Sequence, residues 1–397
     1  MNYFRLDQIC EINPKRTVSS ELSDEISFIP MDAVSTDGKI DTSRTIFAEG
    51  IKNYTTFREG DILFAKITPC MENGKGAIAT GLKNGYGAGS TEFIVLRPDI
   101  EKISQKWLHL FLSQKSFRLY CQQNMTGSAG QKRVPPKFLA ACVLPVPTLK
   151  MQEQIIIRLE ELFSQLDSGV ETLKRVKRQL TVYRQAVLKE AFEGDWDYYK
   201  AKDLCYFITK GTTPKKNELL ASGDVPFIKV YNLTFNTSLD FSIEPTFVSK
   251  LTHTGFLARS IVYPNDVLMN IVGPPMGKVS IVPNTYPEWN INQAIARFRC
   301  TDLLDSKFLA YYLLFAPTVE KMKSQAKATA GQFNLTLEIC RNIEIPLPPM
   351  KEQQRIVLEI ESRLSVCDSI EQTVDAALQQ AEAMRQSILK KAFEGRL

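Results

Sequence analysis

The sequence predicts an α+β protein built from two similar halves, each a globular segment followed by a long helix. The first observation is an internal repeat. Residues 144–194 and 345–395 superpose without a gap at a shift of 201 residues, and 19 of the 51 positions are identical. The second is a change of pattern at each repeat, from short β-rich runs to helical spacing of apolar residues. A repeat of such long period predicts one architecture present twice, with pseudo-two-fold symmetry.

The predicted segments alternate along the chain. They are a globular domain at 1–147, a central helical repeat at 148–195, a globular domain at 196–348 and a C-terminal helical repeat at 349–397. In both globular domains Gly, Pro, Asn and Thr separate short β-rich runs, at intervals typical of a sheet protein. Helical spacing is confined there to Trp107–Asn124 and Lys307–Lys323.

Each helical repeat begins after a proline-rich stretch, Leu144–Pro147 or Ile345–Pro349, because proline fixes φ and disfavours helix in the residue before it. Apolar residues then recur at spacings of three and four, which is typical of a coiled coil. Gly194 and Gly395 are predicted to end the helices. A helix over Gln152–Glu193 would be about 63 Å long. We expect the two helices to form an antiparallel coiled coil; two independent helices with external partners are the alternative.

The composition is that of an ordinary folded protein. Of 397 residues, 44% are hydrophobic and 23% charged, and the net charge of +5 permits a polyanionic partner without demonstrating one. Eight scattered cysteines without a C-x-x-C pair, and only two histidines, argue for reduced thiols rather than a metal site. Because the sequence shows neither a signal peptide nor a long apolar run, we expect a cytoplasmic protein without membrane contact.

Motifs of catalysis are missing from the sequence. Gly273–Lys278 resembles a phosphate loop, but its spacing is one residue short and Val279 replaces the metal-binding hydroxyl residue. Gly85–Gly89 lacks the spacing of a dinucleotide-binding turn. His109 lies in an apolar helical patch and is better explained as a residue at the edge of the core than as a base. We therefore predict no catalytic residue, no metal and no cofactor bound by this chain.

Side chains that suit nucleic acid gather in loops of both globular domains. Arg and Lys suit guanine edges and phosphates, and Asn and Gln suit adenine edges. The predicted contacts in the first domain are Lys66, Thr68, Lys75, Ser90, Thr91, Gln131, Lys132 and Arg133. Those in the second are Lys210, Thr212, Lys229, Asn232, Lys278, Asn290, Asn292, Gln293, Gln332 and Asn334. Solvated turns share this composition, so the presence of such loops in both domains is the stronger argument.

The two globular domains also match each other faintly. Ser128–Gln131 matches Thr329–Gln332 at the same shift of 201 residues. Directly afterwards the sequences diverge, with Lys132-Arg-Val-Pro in one domain against Phe333-Asn-Leu-Thr in the other. We interpret this pattern as one fold that meets two different ligands.

Over essentially its whole length the chain resembles the specificity (S) subunit of type I restriction-modification systems. The resemblance lies in Gly60-Asp-Ile-Leu-Phe64, in Asp266-Val-Leu-Met269, in the Leu-Pro-x-Pro entries to the helices, and above all in the helix ends at Tyr183–Gly194 and Met384–Gly395. Asn265 stands where the family usually has glycine. The resemblance implies two target-recognition domains, each recognising one half of an asymmetric, bipartite site in double-stranded DNA.

The resemblance also implies partners. The coiled coil would set the spacer between the half-sites and dock two methyltransferase subunits, which would bind S-adenosylmethionine, and nuclease/translocase subunits would join the full complex. The alternative is a non-catalytic scaffold or adaptor whose two domains bind proteins.

Overall fold

The computed structural model describes residues 2–15, 25–128, 130–329 and 332–397, with the backbone alone described at 48, 327–329, 332 and 333. The chain forms two compact units. Unit 1 comprises Met1–Leu173 and Asp375–Leu397, and unit 2 comprises Lys174–Val374. Each unit therefore contains one globular domain and a part of both long helices. None of the helices in the described part of the chain combines the length and apolarity that a membrane crossing needs.

The elements that begin in the first half of the chain are β1 (Asn2–Arg5), β2 (Cys10–Ile12), β3 (Glu25–Ile29), β4 (Thr45–Phe47), β5 (Thr55–Arg58), β6 (Ile62–Ala65), β7 (Gly76–Ile78), β8 (Tyr86–Gly89), β9 (Phe93–Pro98), α1 (Gln105–Ser113), α2 (Lys115–Gln123), α3 (Pro136–Ala141), β10 (Val143–Val146) and α4 (Leu149–Ala191). The helical patch predicted at Trp107–Asn124 is thus two helices, because Gln114 adopts an extended backbone between them.

The later elements are β11 (Tyr198–Lys200), α5 (Ala201–Leu204), β12 (Cys205–Lys210), β13 (Val225–Ile228), β14 (Phe247–Val248), α6 (Lys250–Thr254), β15 (Ile261–Val262), β16 (Val267–Asn270), β17 (Val272–Gly273), β18 (Val279–Ile281), β19 (Trp289–Ile291), β20 (Ile295–Cys300), α7 (Ser306–Leu314), α8 (Ala316–Gln325), β21 (Lys327–Thr329), β22 (Gln332–Asn334), α9 (Leu337–Arg341), β23 (Glu344–Pro346) and α10 (Met350–Phe393). Extended backbone at Phe315 separates α7 from α8 in the same way.

Within the described residues the four-stranded sheets of the two units share one topology, and unit 2 has in addition a three-stranded sheet of order β17-β22-β21. Unit 1 has a sheet of order β2-β9-β6-β7 and a second of order β4-β3-β8-β5, in which β3 and β8 run parallel. Unit 2 has the orders β12-β20-β16-β18 and β14-β13-β19-β15, with β13 parallel to β19. A two-stranded ribbon, β1-β10 or β11-β23, leads into each long helix. The prediction of one fold present twice is confirmed.

The central strand β6 is buried on both faces, which explains its unbroken apolar sequence. Successive side chains of a strand point to opposite sides. Ile62 and Phe64 accordingly pack with the helical core around Trp107, whereas Leu63 packs with the second sheet around Phe57. In unit 2 the strand β16 divides its side chains in the same way between two clusters.

The Asp of each shared strand-entry motif has a structural role. Asp61 accepts two hydrogen bonds from Arg97, with its Oδ1 2.8 Å from Nε. Asp266 accepts the same pair from Arg299, at 2.7 Å from Nε. The preceding residue has a positive φ in both units, +86° at Gly60 and +72° at Asn265. Asparagine tolerates the left-handed region better than most residues, so the exchange of Gly for Asn keeps the turn.

The long helices pair in antiparallel fashion, as predicted. In unit 2, Arg184 of α4 donates to Asp368 and Glu371 of α10, at 2.6 and 3.0 Å. Further along α4, Glu190 accepts from Arg363, which lies earlier in α10. Helix α4 begins three residues before the predicted Gln152 and ends two residues before the predicted Glu193.

Each long helix begins beside a buried glutamine that joins it to its globular domain. The Gln152 Oε1 accepts from the Ser104 backbone N–H at 2.8 Å, and its Nε2 donates to the carbonyls of Lys102 and Pro147 at 3.0 and 2.9 Å. Gln353 makes the same three hydrogen bonds at 2.8, 2.9 and 2.9 Å. Its partners are Asp305, Leu303 and Pro348. These glutamines fix the direction in which the helices leave the domains.

The C-terminal end of each long helix completes the core of one globular domain: α10 completes the domain at 1–147, and α4 completes the domain at 196–348. In unit 1, Phe393 at the end of α10 packs on Trp107 and Phe111, with ring centroids 4.5 and 5.4 Å apart. In unit 2, Phe192 directly after α4 packs on Phe308 and Tyr312, at 5.3 and 5.1 Å. All these residues are related by the shift of 201 positions.

A glutamine about two helical turns before each of these phenylalanines ties the helix end to a second point. In unit 1, the Gln386 Oε1 accepts from the Lys115 backbone N–H at 2.9 Å. In unit 2, the Gln185 Oε1 accepts from the Ala316 backbone N–H at 2.8 Å. These pairs are again related by 201 positions, so the helix-end contacts are repeated as a set.

Candidate nucleic-acid interface

The chain segment 131–134 lies beside the residues that follow strand β6 in unit 1. The Lys66 backbone N–H donates to the Glu92 carbonyl at 2.9 Å, and its own carbonyl accepts from the Val134 N–H at 2.9 Å. The Thr68 N–H donates to the Lys132 carbonyl at 3.0 Å. These bonds bring three stretches that are distant in sequence to one edge of the domain.

This edge, which we call the first reading edge, consists of residues 66–68, 90–92 and 131–133. It contains Lys66, Thr68, Ser90, Thr91, Gln131, Lys132 and Arg133 of the predicted contacts. The side chain of Lys75, the remaining predicted contact of this domain, is engaged elsewhere, because its Nζ donates to the Met31 carbonyl at 2.8 Å. Gln131 and Lys132 are exposed, whereas the Lys66 Nζ donates to the Thr91 carbonyl at 2.7 Å.

Arg133 is paired with an acid that the sequence analysis did not select. Its Nε and Nη2 donate to the two carboxylate oxygens of Glu92 at 2.9 and 2.8 Å, and its Nη1 donates to the Gln131 carbonyl at 3.1 Å. The hydrogen bond from Arg133 lowers the pKa of Glu92 below its ordinary value, so the pair is ionised at neutral pH. The pair remains open to solvent, with 42% of the Arg133 side chain and 24% of the Glu92 side chain exposed.

A cleft of about 320 Å³ opens beside the first reading edge. Lys66 and Thr91 line it together with Lys52 and Tyr54, which the sequence analysis missed. The Tyr54 ring is held edge-on against Phe28, with centroids 5.0 Å apart. A lysine two residues before an exposed aromatic in a turn is the sequence signal that could have selected this pair.

The loop that follows the first reading edge is held from behind by a buried arginine. Arg118 donates to the carbonyls of Met71 and Gly74, both at 2.9 Å. Burial lowers the pKa of Arg118 to about 10. In unit 2 the equivalent position is Val319, and the loop is held instead by Asn270, whose Nδ2 donates to the Pro275 carbonyl at 2.7 Å.

Unit 2 has a second reading edge on the same backbone frame. The Ile271 N–H donates to the Ala294 carbonyl at 2.9 Å, and the Ile271 carbonyl accepts from the Leu335 N–H at 2.9 Å. Strand β22 pairs with β17, so that Asn334 lies opposite Val272, as Arg133 lies opposite Ile67. The equivalent pairs of positions are Lys66 and Ile271, Thr91 and Gln293, Glu92 and Ala294, and Arg133 and Asn334.

Two of the contacts predicted in unit 2 are buried inside the fold, and we remove them from the proposed interface. The Asn232 Oδ1 accepts from the Lys229 N–H at 2.9 Å, and its Nδ2 donates to the carbonyls of Asp240 and Ile243. Asn290 lies with its Oδ1 2.8 Å from Nδ1 of His253. Both side chains are at most 1% exposed, so neither can reach a base.

The remaining predicted contacts of unit 2 lie at the surface or partly open to it. Lys210, Gln293 and Asn334 are exposed; Thr212, Lys229, Lys278 and Asn292 are partly buried. The Lys278 ammonium lies 6.0 Å from the centroid of the exposed Phe235 ring. The side chain of Gln332 lies outside the described residues, as do Ala129 and residues 330–331 of the shared motif.

Within the ranges that the structure describes, no group of three or more His, Cys, Asp or Glu side chains is placed to hold a metal ion. His109 is half-buried, and burial lowers its pKa to about 4. It lies at the edge of the core, where its ring is within reach of Gly38.

Comparison with known proteins gives one consistent result. A family model of the type I restriction modification DNA specificity domain matches residues 1–178 and 193–380. The chain is similar to the specificity subunit of the type I restriction enzyme EcoAI of Escherichia coli, with 48% identity over 164 residues, 41% of this chain and only 28% of that relative. It is also similar to the EcoEI specificity subunit of Escherichia coli, with 25% identity over 95% of this chain and 80% of that relative.

Two solved structures share the fold. One belongs to work on complex assembly and conformational transition of the type I R-M system; it has a TM-score of 0.78 and 22% identity over all of this chain and 98% of that one. The other is the HsdS subunit from Thermoanaerobacter tengcongensis, with a TM-score of 0.52 and 20% identity over all of this chain and 97% of that one.

Proposed function

Because the chain belongs to the family of type I restriction modification DNA specificity proteins, we propose that it is the sequence-specific, non-catalytic DNA-binding subunit of a type I restriction-modification complex. The domains at 1–147 and 196–348 each recognise one half of an asymmetric, bipartite site in double-stranded DNA. The observation that carries this proposal is the pair of reading edges. One backbone frame presents different side chains in the two units, such as Arg133 in one and Asn334 in the other.

The remaining predicted contacts belong to the same proposal. In unit 1, exposed Lys132 and partly buried Lys66 place positive charge beside the hydroxyls of Thr68 and Thr91. Cations and hydroxyls are the groups that bind phosphates and fix a protein's register on DNA. Side chains of the reading edges then select the bases.

The proposed partners follow from the family. Two methyltransferase subunits bind the helical repeats and supply S-adenosylmethionine and the methyl transfer, and nuclease/translocase subunits complete the assembly. A similar solved structure concerns complex assembly in a type I R-M system, which supports partner subunits in general. The proposed location is the cytoplasm, where the DNA of the host cell is accessible. A non-catalytic scaffold that binds only proteins is the alternative.

We propose further that the paired helices set the length of DNA left unread between the half-sites. Support comes from the length of α4, 43 residues, or about 65 Å at 1.5 Å per residue. The salt bridges join α4 to α10, and the buried glutamine at each helix entrance ties the start of the helix to its globular domain.

An exchange of the first domain tests the proposal that each globular domain recognises one half-site. Residues 1–143 are replaced by the corresponding domain of another family member. Methylated adenines are then mapped in the DNA of a host that expresses the methyltransferase. We expect one half of the methylated sequence to change and the other half to persist. A change in both halves, or in neither, would contradict the proposal. A scaffold would give no sequence-specific, salt-sensitive DNA protection.

An insertion in the helices tests the spacer. Seven residues are inserted after Leu173 and another seven after Val374, so that the pairing of the helices stays in step. The insertion adds about 10 Å of helix, equivalent to about three base pairs at 3.4 Å each. We expect a spacer longer by about that amount with both half-sites unchanged; an unaltered spacer would refute the role of the helices.

A further inference from the structure

Arg133 and Asn334 occupy the same place in their units. Both lie opposite the second residue after the equivalent strand, Ile67 after β6 in unit 1 and Val272 after β16 in unit 2. The residue before each of these, Lys66 or Ile271, also makes the same two backbone hydrogen bonds in both units, each with an N–O distance of 2.9 Å. The two side chains therefore leave the backbone at equivalent points of their units.

Arg133 retains donors directed away from its acid. Its Nε and Nη2 bind Glu92 through one edge of the guanidinium, and Nη1 also binds the Gln131 carbonyl. A guanidinium has five N–H donors. Three of the five are used in these bonds, so one N–H remains on Nη1 and one on Nη2, and two donors on neighbouring nitrogens are the number that a pair of adjacent acceptors requires.

The Arg133–Glu92 pair matches the major-groove edge of a G·C base pair. Guanine presents two acceptors, O6 and N7, and cytosine presents an adjacent N4 donor. The free donors of Arg133 suit guanine, and the ionised Glu92 carboxylate suits the cytosine amine. Exposed ion pairs contribute little to folding. A half-exposed bidentate pair at this edge is therefore poorly explained by stability alone.

Asn334 offers the other chemistry. Its side chain is exposed, and no hydrogen-bond partner for it exists among the described residues of the fold. The position equivalent to Glu92 is Ala294, which carries neither donor nor acceptor in its side chain. A free carboxamide matches the N6 and N7 edge of adenine.

We propose that Arg133 and Asn334 are equivalent base-recognition positions, at which Arg133 with Glu92 recognises one G·C pair of the first half-site and Asn334 recognises one A·T pair at the corresponding place in the second. The proposal rests on the proposed function and deepens it, because it assigns a base pair to each reading edge.

A graft between the edges tests the assignment. Arg133→Asn is combined with Glu92→Ala, and the reciprocal variant combines Asn334→Arg with Ala294→Glu. Each full-length chain is assembled with its methyltransferase subunits. Binding is then measured at one fixed salt concentration, on duplexes in which every base pair of the mapped site is changed in turn. Wild type should lose at least about tenfold in affinity when the one G·C pair is changed.

In the first variant the preference at that pair should change from G·C to A·T, by about tenfold, with all other preferences kept. The reciprocal variant should change a single A·T pair of the second half-site to G·C. An unchanged preference at every pair of the grafted half-site would overturn the proposal. A wild-type complex that shows no sequence-specific binding would instead overturn the proposed function.

Two further variants separate recognition from folding. Arg5 and Asp7 form an ion pair of the same side-on geometry elsewhere in unit 1, with Nη2 2.6 Å from Oδ2. Arg5→Asn with Asp7→Ala should leave all preferences unchanged. If the graft weakens binding to every duplex, the variant Arg133→Lys is tested instead, because it keeps the positive charge but lacks the planar set of N–H donors of the guanidinium. The loss of base preference in Arg133→Lys must be confined to that same base pair. An equal loss of preference at all base pairs of the site would overturn the proposal.

Discussion

The helix-end contacts of unit 1 recur in unit 2 residue for residue, whereas the reading edges share a backbone and little else. Gln152 and Gln353 make equivalent sets of three hydrogen bonds, and Phe393 and Phe192 fill equivalent aromatic pockets, each in its own unit. At the reading edges, Arg133 is replaced by Asn334 and buried Ile271 stands for Lys66. The two regions therefore differ in what the fold demands of them.

The difference has a physical cause. A buried amide that loses one of its partners leaves a donor or acceptor without hydrogen bonds, which costs about 1–3 kcal/mol. Substitution at an exposed position away from such features usually changes stability by less than about 0.5 kcal/mol. The helix ends are accordingly constrained by their own packing, and the side chains of the reading edges are free to differ as long as the backbone bonds persist.

Removal of the closing aromatic ring should have the largest effect, and an equal one in both units. Phe192→Ala and Phe393→Ala each remove a buried ring, at a cost of about 3–5 kcal/mol. The measurement is the free energy of unfolding in denaturant, with a fluorescence or hydrogen-exchange probe in each unit. Val182→Ala, at an exposed site whose counterpart is Ala383, is the matched control and should change little. A large loss in one unit alone would break the equivalence.

Replacement of the entry glutamines should be the next largest change. Gln152→Leu or Gln353→Leu leaves the Ser104 or Asp305 N–H and two carbonyls without partners, and we expect a loss of about 3 kcal/mol in each case. The exposed neighbours give the controls, Gln154→Leu and Gln354→Leu, which should be close to neutral. Thermal unfolding of the four variants checks this. If Gln152→Leu and Gln353→Leu destabilise the protein no more than their controls, the hydrogen bonds of these glutamines are not what holds the helix to its domain.

Acid should destabilise unit 1 through a residue that unit 2 lacks, because Ala310 stands at the position of His109. Burial, aided by the nearby charge of Arg118, lowers the pKa of His109 to about 4 from 6.5. The unfolded chain therefore binds the proton first. The contribution of neutral His109 is complete above pH 6.5 and is lost as the pH falls towards 4, by at most about 1.4 kcal/mol per pH unit.

In the variant His109→Ala, the stability of unit 1 should fall less steeply as the pH is lowered. Between pH 7 and 9 the variant should show no new dependence of stability on pH. Unfolding of unit 1 in denaturant, measured at half-unit steps of pH, checks the expectation. An equally steep loss in the variant would assign the acid sensitivity to other groups.

Much of the fold could be predicted because the signals are local and appear twice. The repeat, the proline-rich entries and the apolar spacing define the two long helices. Gly395 adopts a φ of +71° and ends α10 as predicted. Gly194 is needed for another reason, since a Cβ there would lie 2.4 Å from the Trp196 ring. No local pattern distinguishes these two uses of glycine.

The reading edges were harder to predict because their roles depend on distant neighbours. Asn232 and Asn290 have the composition of contact residues, but partners brought in by the fold bury them. Glu92 was missed because an acid by itself does not suggest DNA contact. The role proposed for it depends on Arg133, which lies 41 residues away in the chain. Selection of loops by composition found most of the first edge but could not separate inward from outward side chains.

The exchange of helix ends also sets an order of completion during synthesis. Unit 2 is one continuous stretch, Lys174–Val374, and has all its residues once Val374 has left the ribosome. Unit 1 starts first but needs Asp375–Leu397, including Phe393, to close around Trp107. The domain that is translated first is therefore the one completed last. A nascent chain stopped after Val374 would carry a finished second domain and an open first one.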